Sequence, residues 1–305
     1  MGDYQKKWFY LILLSLIWGS SFILIKKALV GFSPIQLGGL RIIFASLTLF
    51  AFGFRSMSKI QRADWKWLFI AGLTSSFFPP FLFAIAQTEL DSGITSIFNS
   101  TVPLMTTLVG IALFGAIITG RQVLGVFIGL IGTAVLILTG MEFTPDQNYW
   151  YAVFIFLSAL GYAFNINIIK RHLAHLGPLT ITTASFGVAF IPAVIIVIFS
   201  GFFGEILHNV EMHNTIWYVL ALAVLGTAWA NILFNRLIHI SSPVFAASVT
   251  YTIPLVAVLW GFWDGESITL YQLLGGGIIL FGVWLVNKKK RNKARTVTKE
   301  RSNSL

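Results

Sequence analysis

Ten times along this chain polar residues give way to mostly apolar runs, at approximately 8–28, 34–53, 66–87, 92–114, 122–140, 149–169, 178–203, 215–235, 243–263 and 270–286. Each is close to the ~20 residues that an α-helix needs to cross a bilayer. Lipid offers the backbone no hydrogen-bond partners, so a run of this kind has to close its hydrogen bonds within itself, as a helix. The expected fold is therefore an all-α integral membrane protein with ten transmembrane helices. Composition agrees, with 56% hydrophobic and 10% charged residues, against about 25% charged in soluble domains. The two most interrupted runs are 92–114, studded with Ser, Thr and Asn, and 243–263, which contains Pro254. The first run follows Lys6 and Lys7 as a signal peptide would, but it is too long and no small-residue cleavage site follows, so it is read as a retained helix. The chain has no cysteine, which excludes disulfides, thiol catalysis and cysteine-bound metal.

Basic residues give the expected orientation, because Lys and Arg collect in cytoplasmic loops. Ten spans place both termini on one side. That side receives Lys6, Lys7, Arg55, Lys59, Arg62, Lys66, Arg121, Lys170, Arg171, Arg236 and the basic residues of a tail over 287–305. Of the 21 Lys and Arg, only Lys26, Lys27 and Arg41 fall elsewhere. Most acids lie opposite: Glu89, Asp91, Glu142, Asp146, Glu205, Glu211, Asp264 and Glu266. Both termini are thus expected in the cytoplasm, with the tail resting on anionic headgroups at about 1 kcal/mol per basic residue. The net charge of +10 is not read as a nucleic-acid site, since no aromatic interleaving or folded basic module accompanies it.

The chain also repeats itself. "TVPLMTTLVG" from Thr101 returns as "TIPLVAVLWG" from Thr252, and Gln122, Gly125 and Gly132 return as Gln272, Gly275 and Gly282. "IWGSSFILIKKAL" from Ile17 aligns with "GYAFNINIIKRHL" from Gly161, setting Trp18 opposite Tyr162. Two five-span units follow, 8–140 and 149–286. Five is odd, so the second unit must enter the membrane from the opposite face. Inverted repeats of this kind characterise secondary transporters whose substrate site lies near the midplane between the halves.

These residues resemble the drug/metabolite transporter superfamily, EamA type. The resemblance is carried by Trp18-Gly19, Lys26, Pro34, Arg41, Pro103 and Gly125, with Pro254, Glu266 and Gly275 in the second half. One position departs: Ala116 stands where the first-half match to Glu266 would fall, so a symmetric acidic pair is not expected. The resemblance implies a bacterial inner-membrane transporter that exports amino acids or related amphipathic compounds.

Ionisable groups inside spans are the first functional candidates, since leaving one in hydrocarbon costs at least ~2.5–3.5 kcal/mol. Arg41 lies seven residues inside Pro34, about 10 Å deep. It either snorkels outward or faces a cavity and binds an anionic substrate group. Lys26 and Lys27 cannot face the same way on one helix, and Lys26 is assigned to the cavity by the resemblance. No Asp or Glu lies mid-span, so a carboxylate proton relay is weakly supported and a proton remains only a candidate coupling ion. Neutral candidates for substrate hydrogen bonds are Asn99, Thr101, Asn165, Asn231 and Thr252, with Trp18, Tyr162, Trp229 and Tyr251 as pocket walls. Half or more of the neutral polar residues in the spans, a set that also includes Ser20, Ser21, Gln87, Ser100, Asn167 and Asn235, are expected to bridge helices. Pro103 and Pro254 are expected to kink spans four and nine and serve as hinges, each freeing a carbonyl one turn upstream for a hydroxyl, a water or substrate. "SSFFPPFLF" from Ser75 should break or bend span three, with Phe77, Phe78 and Phe81 facing either lipid or the cavity.

Glycines at 125, 129, 132, 275, 276, 277 and 282 read as faces for close helix packing, within the fold or between copies, and the chain is expected as a monomer or homodimer. They form no phosphate loop: no strand precedes them and no Lys-Ser/Thr pair follows. His172 with His175, and His208 and His213 with Glu211, lack the ligand number for a metal site. No cofactor is implied. The expected function is alternating-access transport of a small molecule across the bilayer; the rivals are a non-transporting assembly or sensor protein and a membrane enzyme, for which no convergent catalytic set is visible.

Overall fold

The computed structural model describes residues 2–90, 92–138, 148–263 and 270–287. Asp91, Glu142, Asp146, Asp264, Glu266 and the basic residues from Lys288 onward lie outside them. The described residues form helices α1 (Asp3–Ala28), α2 (Pro34–Gly53), α3 (Asp64–Ala86), α4 (Ser92–Asn99), α5 (Val102–Phe114), α6 (Gly120–Leu138), α7 (Ala152–His172), α8 (Pro178–Phe199), α9 (Val210–Ile240), α10 (Pro243–Ala247), α11 (Val249–Trp263) and α12 (Leu270–Asn287). There is no strand among them. Six stretches are long and apolar enough to cross a membrane: Asp3–Ala28, Pro34–Lys59, Asp64–Ala86, Tyr149–His172, Pro178–Phe199 and Val210–Ile240. Four shorter apolar stretches, Val102–Phe114, Gly120–Leu136, Pro243–Val256 and Leu273–Asn287, occupy the positions of the other expected spans.

Helix starts follow local chemistry. Ser33 caps α2 by accepting from Gln36 N, while the Gln36 side chain accepts from Ser33 N at 3.0 Å, and Pro34 fills the first helical position. This is a capping box, which satisfies donors the helix cannot satisfy itself. Gln36 Nε2 then donates to Ser200 O and to Glu205 Oε2 (3.2 and 2.9 Å), tying the start of α2 to the end of α8. Asn209 and Ser242 cap α9 and α10 in the same manner.

The proline pair of span three does not break it. Residues Gly72–Phe77 widen into a π-helical turn, and α3 runs on through Pro79 and Pro80. Proline offers no N–H to the carbonyl four residues back, and the wider turn absorbs that loss. A second π-turn, Val224–Trp229, lies within α9, where Thr227 Oγ1 donates to Leu222 O at 2.9 Å. Such turns recur at functional positions.

Spans four and nine are broken rather than gently kinked. Pro103 is the second residue of α5, just beyond a turn at Ser100 and Thr101. Its missing N–H is harmless there, because the first turn of a helix has no intrahelical acceptors. Pro254 by contrast sits inside α11. It leaves the Thr250 carbonyl without its helical donor, and the Ser100 hydroxyl, shared with Ser96 O at 2.8 Å, also reaches that carbonyl at 3.2 Å. The two prolines, alike in sequence, occupy different backbone settings.

Packing brings the halves together. α1 lies along α9 and α11, α7 along α3 and α5, α2 along α8, and α6 along α12. In the α6–α12 pair backbone meets backbone: a Cβ at Gly125 would lie 2.8 Å from Gly282 O, and one at Gly275 would lie 2.6 Å from Leu136 N. These glycines therefore pack within the fold, while nothing lies within 4 Å of the position a Cβ would take at Gly277. At the end of α7, Lys170 Nζ donates to Ile238 O, His239 O and Ser241 O (3.0, 3.2 and 2.7 Å), and Arg171 donates to Phe114 O. One basic pair thereby closes the C-terminal ends of α9 and α5, where the helix dipole favours cations.

Candidate functional site

Midway along the helices lies a cavity enclosing about 820 Å³, counted out through its mouth. Helix α1 contributes Trp18, Ser21, Phe22 and Ile25, which recur at the three-to-four-residue spacing of one helix face. The same spacing gives Tyr162 and Asn165 from α7, and Thr227, Asn231 and Phe234 from α9. Arg41 enters from α2, Phe186 from α8, and Ser75, Pro80 and Phe83 from α3. Asn99 and Val102 flank the break in span four, and Thr250 and Ile253 come from α11. Both halves of the chain supply walls.

Among the described residues Arg41 is the only Lys, Arg, Asp, Glu or His on this lining. Its Nε donates to Thr227 Oγ1 at 2.7 Å, and the Thr227 hydroxyl in turn donates to Leu222 O. The π-turn of α9 therefore holds the guanidinium by one edge. Among the described residues neither Nη group has a protein acceptor and no Asp or Glu pairs with it. Asn99 Oδ1 is buried without a partner, and neither amide atom of Asn165 has one among the described residues. Buried polar groups are ordinarily satisfied, so these are open valences facing a space. Aromatic rings frame them: Trp18 meets Phe234 edge-on at 5.0 Å, and Phe83 lies between Phe22 and Tyr162 at 6.1 and 6.4 Å. Trp18 Nε1 donates to Gly226 O at 3.0 Å, which fixes its ring against the second π-turn.

Six of the residues proposed from the sequence thus share one cavity: Trp18, Arg41, Asn99, Tyr162, Asn165 and Asn231. Five others lie elsewhere. Lys26 and Lys27 are both exposed, Lys27 over the ring of Tyr218, because Ile25 takes the inward position on α1. Thr101 turns its hydroxyl back to Phe98 O at 2.7 Å. Trp229 is 43% exposed and packs against Phe52, because Thr227 and Asn231 on either side point inward. Tyr251 is fully buried between spans, its hydroxyl donating to Val126 O at 2.7 Å and its ring resting on Gly129. Thr252 pairs with the Ser15 hydroxyl. Of the span-three aromatics, Phe78 is exposed, and Phe81 packs on Gly38 outside the lining. Pro80 and Phe83 take the wall instead. Asn167 and Asn235 bridge helices, to Thr106 O and Thr182 Oγ1.

The model of the EamA-like transporter family matches residues 5–138 and again 149–288. The chain belongs to the EamA-like transporter family. Among similar proteins is one from Escherichia coli (strain K12) named "Uncharacterized inner membrane transporter YedA", 28% identical over 283 residues, spanning 92% of this chain and 90% of that one. Another is a "Probable amino-acid metabolite efflux pump" from Salmonella typhimurium, 24% identical over 293 residues, spanning 92% and 94%. A solved crystal structure has the same fold, with a TM-score of 0.68 at 16% identity over 91% of this chain and 94% of that one. Within this EamA-family chain, sequence reasoning missed Ser21, Phe22, Ile25, Ser75, Phe186, Thr227, Phe234 and Thr250. A face count from Trp18, taking every third or fourth residue, recovers the first three. Nothing in the sequence flags the π-turns that bring in Ser75 and Thr227.

Proposed function

We propose that this chain is a secondary transporter of the bacterial inner membrane that moves small amphipathic metabolites, with amino acids or related compounds the leading class and export the leading direction. It works by alternating access between two inverted five-helix repeats, 8–140 and 149–286, that cross the membrane ten times with both termini cytoplasmic. The observation that carries this reading is the cavity, polar and aromatic at once, with walls from both halves. Matched contacts support the inverted relation. Trp18 of α1 donates to Gly226 O in the π-turn of α9, while Gly161 of α7 rests against Thr74 O in the π-turn of α3. Ser75 and Thr227 are the fourth residues of their π-turns, and both line the cavity. Two units of like structure can exchange conformations at little cost, which gives an inward-open and an outward-open state of similar energy. Pro103 and Pro254, beside the breaks in spans four and nine, are the proposed hinges. The breadth of the substrate class follows from the names of similar proteins, one a probable amino-acid metabolite efflux pump.

The test is uptake and counterflow in proteoliposomes against a metabolite panel, with Arg41→Ala and Asn99→Ala alongside the wild type. At least one solute should move faster than into empty vesicles, and both substitutions should slow it. A wild type indistinguishable from empty vesicles across the panel would favour a non-transporting membrane protein.

A further inference from the structure

Resting on the transporter reading above, we infer that the cavity selects a small organic monocarboxylate with an apolar body, that Arg41 is its charge partner, and that organic cations are excluded. The charge balance of the lining is the starting point: among the described residues it holds one guanidinium and no Asp, Glu or His. The repeat does not supply a second charge. Arg41 lies seven residues beyond Pro34 at the start of α2, and seven residues beyond Pro178 at the start of α8 stands Ser185. The site thus carries a single positive charge on one side.

The guanidinium is also oriented. With Nε held by Thr227 Oγ1 at 2.7 Å, its outer edge presents both Nη groups without a described partner. A carboxylate matches a guanidinium edge with two parallel hydrogen bonds. The Nδ2 groups of Asn99 and Asn165 make no hydrogen bond among the described residues and can donate to the remaining lone pairs of the anion, while the buried Asn99 Oδ1 is left to accept from a hydroxyl or N–H of the substrate's body. A dianionic phosphate ester would keep one charge uncompensated in a desolvated space, which is unfavourable. The rest of the wall, Trp18, Phe22, Phe83 and Phe234, is shaped for an apolar body. A cation could meet those rings, but ring faces attract an ammonium only weakly, and the guanidinium repels it with no carboxylate to offset the repulsion. A zwitterionic amino acid falls between, since its carboxylate is bound and its ammonium finds no charge partner on the lining.

The experiment uses the full-length protein and three probes that share one aromatic body: phenylacetate, L-phenylalanine and phenethylammonium. Equilibrium binding of radiolabelled phenylacetate in detergent is measured with the other two as competitors, and each probe is followed by counterflow in proteoliposomes. Phenylacetate is expected to bind and exchange, L-phenylalanine to compete less well, and phenethylammonium not to compete at large excess. Arg41→Gln should weaken phenylacetate binding by about 30-fold or more, the loss typical of removing one member of a desolvated charge pair, with Arg41→Lys partly restoring it. If Arg41→Gln does not fold, the ranking of the three probes in the wild type decides alone. Phenethylammonium binding or exchanging as well as phenylacetate would overturn the inference and leave the transporter reading standing. Undiminished phenylacetate binding by a folded Arg41→Gln would do the same. Absence of binding and exchange for all three probes, with no other solute moving, would overturn both.

Discussion

Gly161 sits where a side chain has no room, and the consequence can be worked from distances. A Cβ added there would lie 2.3 Å from the carbonyl oxygen of Thr74, against the 3.4 Å at which ordinary contact begins. Relief requires α7 and the π-turn of α3 to separate by about 1 Å, and backbone atoms on both sides rule out a rotamer change. Over-packing of this kind costs about 1–3 kcal/mol, or about 2–12 °C in melting temperature at roughly 2–4 °C per kcal/mol. The effect should reach the cavity, because Gly161 precedes Tyr162 and Thr74 precedes Ser75, and both neighbours line it. Two glycines serve as controls. At Gly226 the obstacle is the Ser21 hydroxyl at 2.7 Å, a side-chain tip that can turn away, so Gly226→Ala should cost less. At Gly277 nothing lies within 4 Å, so Gly277→Ala should be neutral, or stabilising by up to ~1 kcal/mol through helix propensity. The assay is thermal unfolding of the three purified variants in one detergent, followed by proteoliposome transport. Equal melting temperatures for Gly161→Ala and Gly277→Ala would refute the close approach of α7 to α3.

Four further outcomes follow from individual residues. Tyr251→Phe removes a buried hydrogen bond to Val126 O and should lower stability by roughly 0.6 kcal/mol while leaving the ranking of solutes in transport unchanged; an altered ranking would return Tyr251 to the substrate wall. Pro254→Ala restores an N–H for the Thr250 carbonyl, so Ser100→Ala, costing roughly 0.6 kcal/mol in the wild type, should cost little in that background, as a double-mutant cycle on melting temperature will show. The same substitution should slow transport more than Pro103→Ala, whose proline merely starts a helix. Lys170→Met removes the donor shared by Ile238 O, His239 O and Ser241 O. Since the chain has no cysteine, a single Ile240→Cys reporter should react faster with a maleimide in that background; an unchanged rate would mean that Lys170 does not hold this helix end closed.

Much of the architecture could be read from apolar run length, because lipid leaves the backbone no alternative to a helix. The chemistry of the candidate site was partly readable for the same reason. Arg41, Asn99, Asn165 and Asn231 stand out as polar groups in apolar runs, and the repeat pairs Trp18 with Tyr162. Facing was not readable to the same degree. Neighbouring residues on a helix point about 100° apart, so the sequence could not choose between Lys26 and Ile25, or between Tyr251 and Thr250. In both pairs the apparently more functional residue is the one that lies off the cavity.

By itself, then, the sequence determined that this chain makes apolar helices, six of them long enough to cross a membrane, and carries few polar groups inside its apolar runs. Those properties depend on local composition and on the solvent around the helix. Tertiary structure decided which of the polar groups meet, because that depends on helix rotation and on the π-turns at Gly72–Phe77 and Val224–Trp229, which shift the register of everything beyond them. It also decided that two similar prolines do different things. Pro103 falls just after a break between helices and Pro254 within a helix, and the second leaves the Thr250 carbonyl to a residue of the other half, Ser100, whose hydroxyl it shares with Ser96 O.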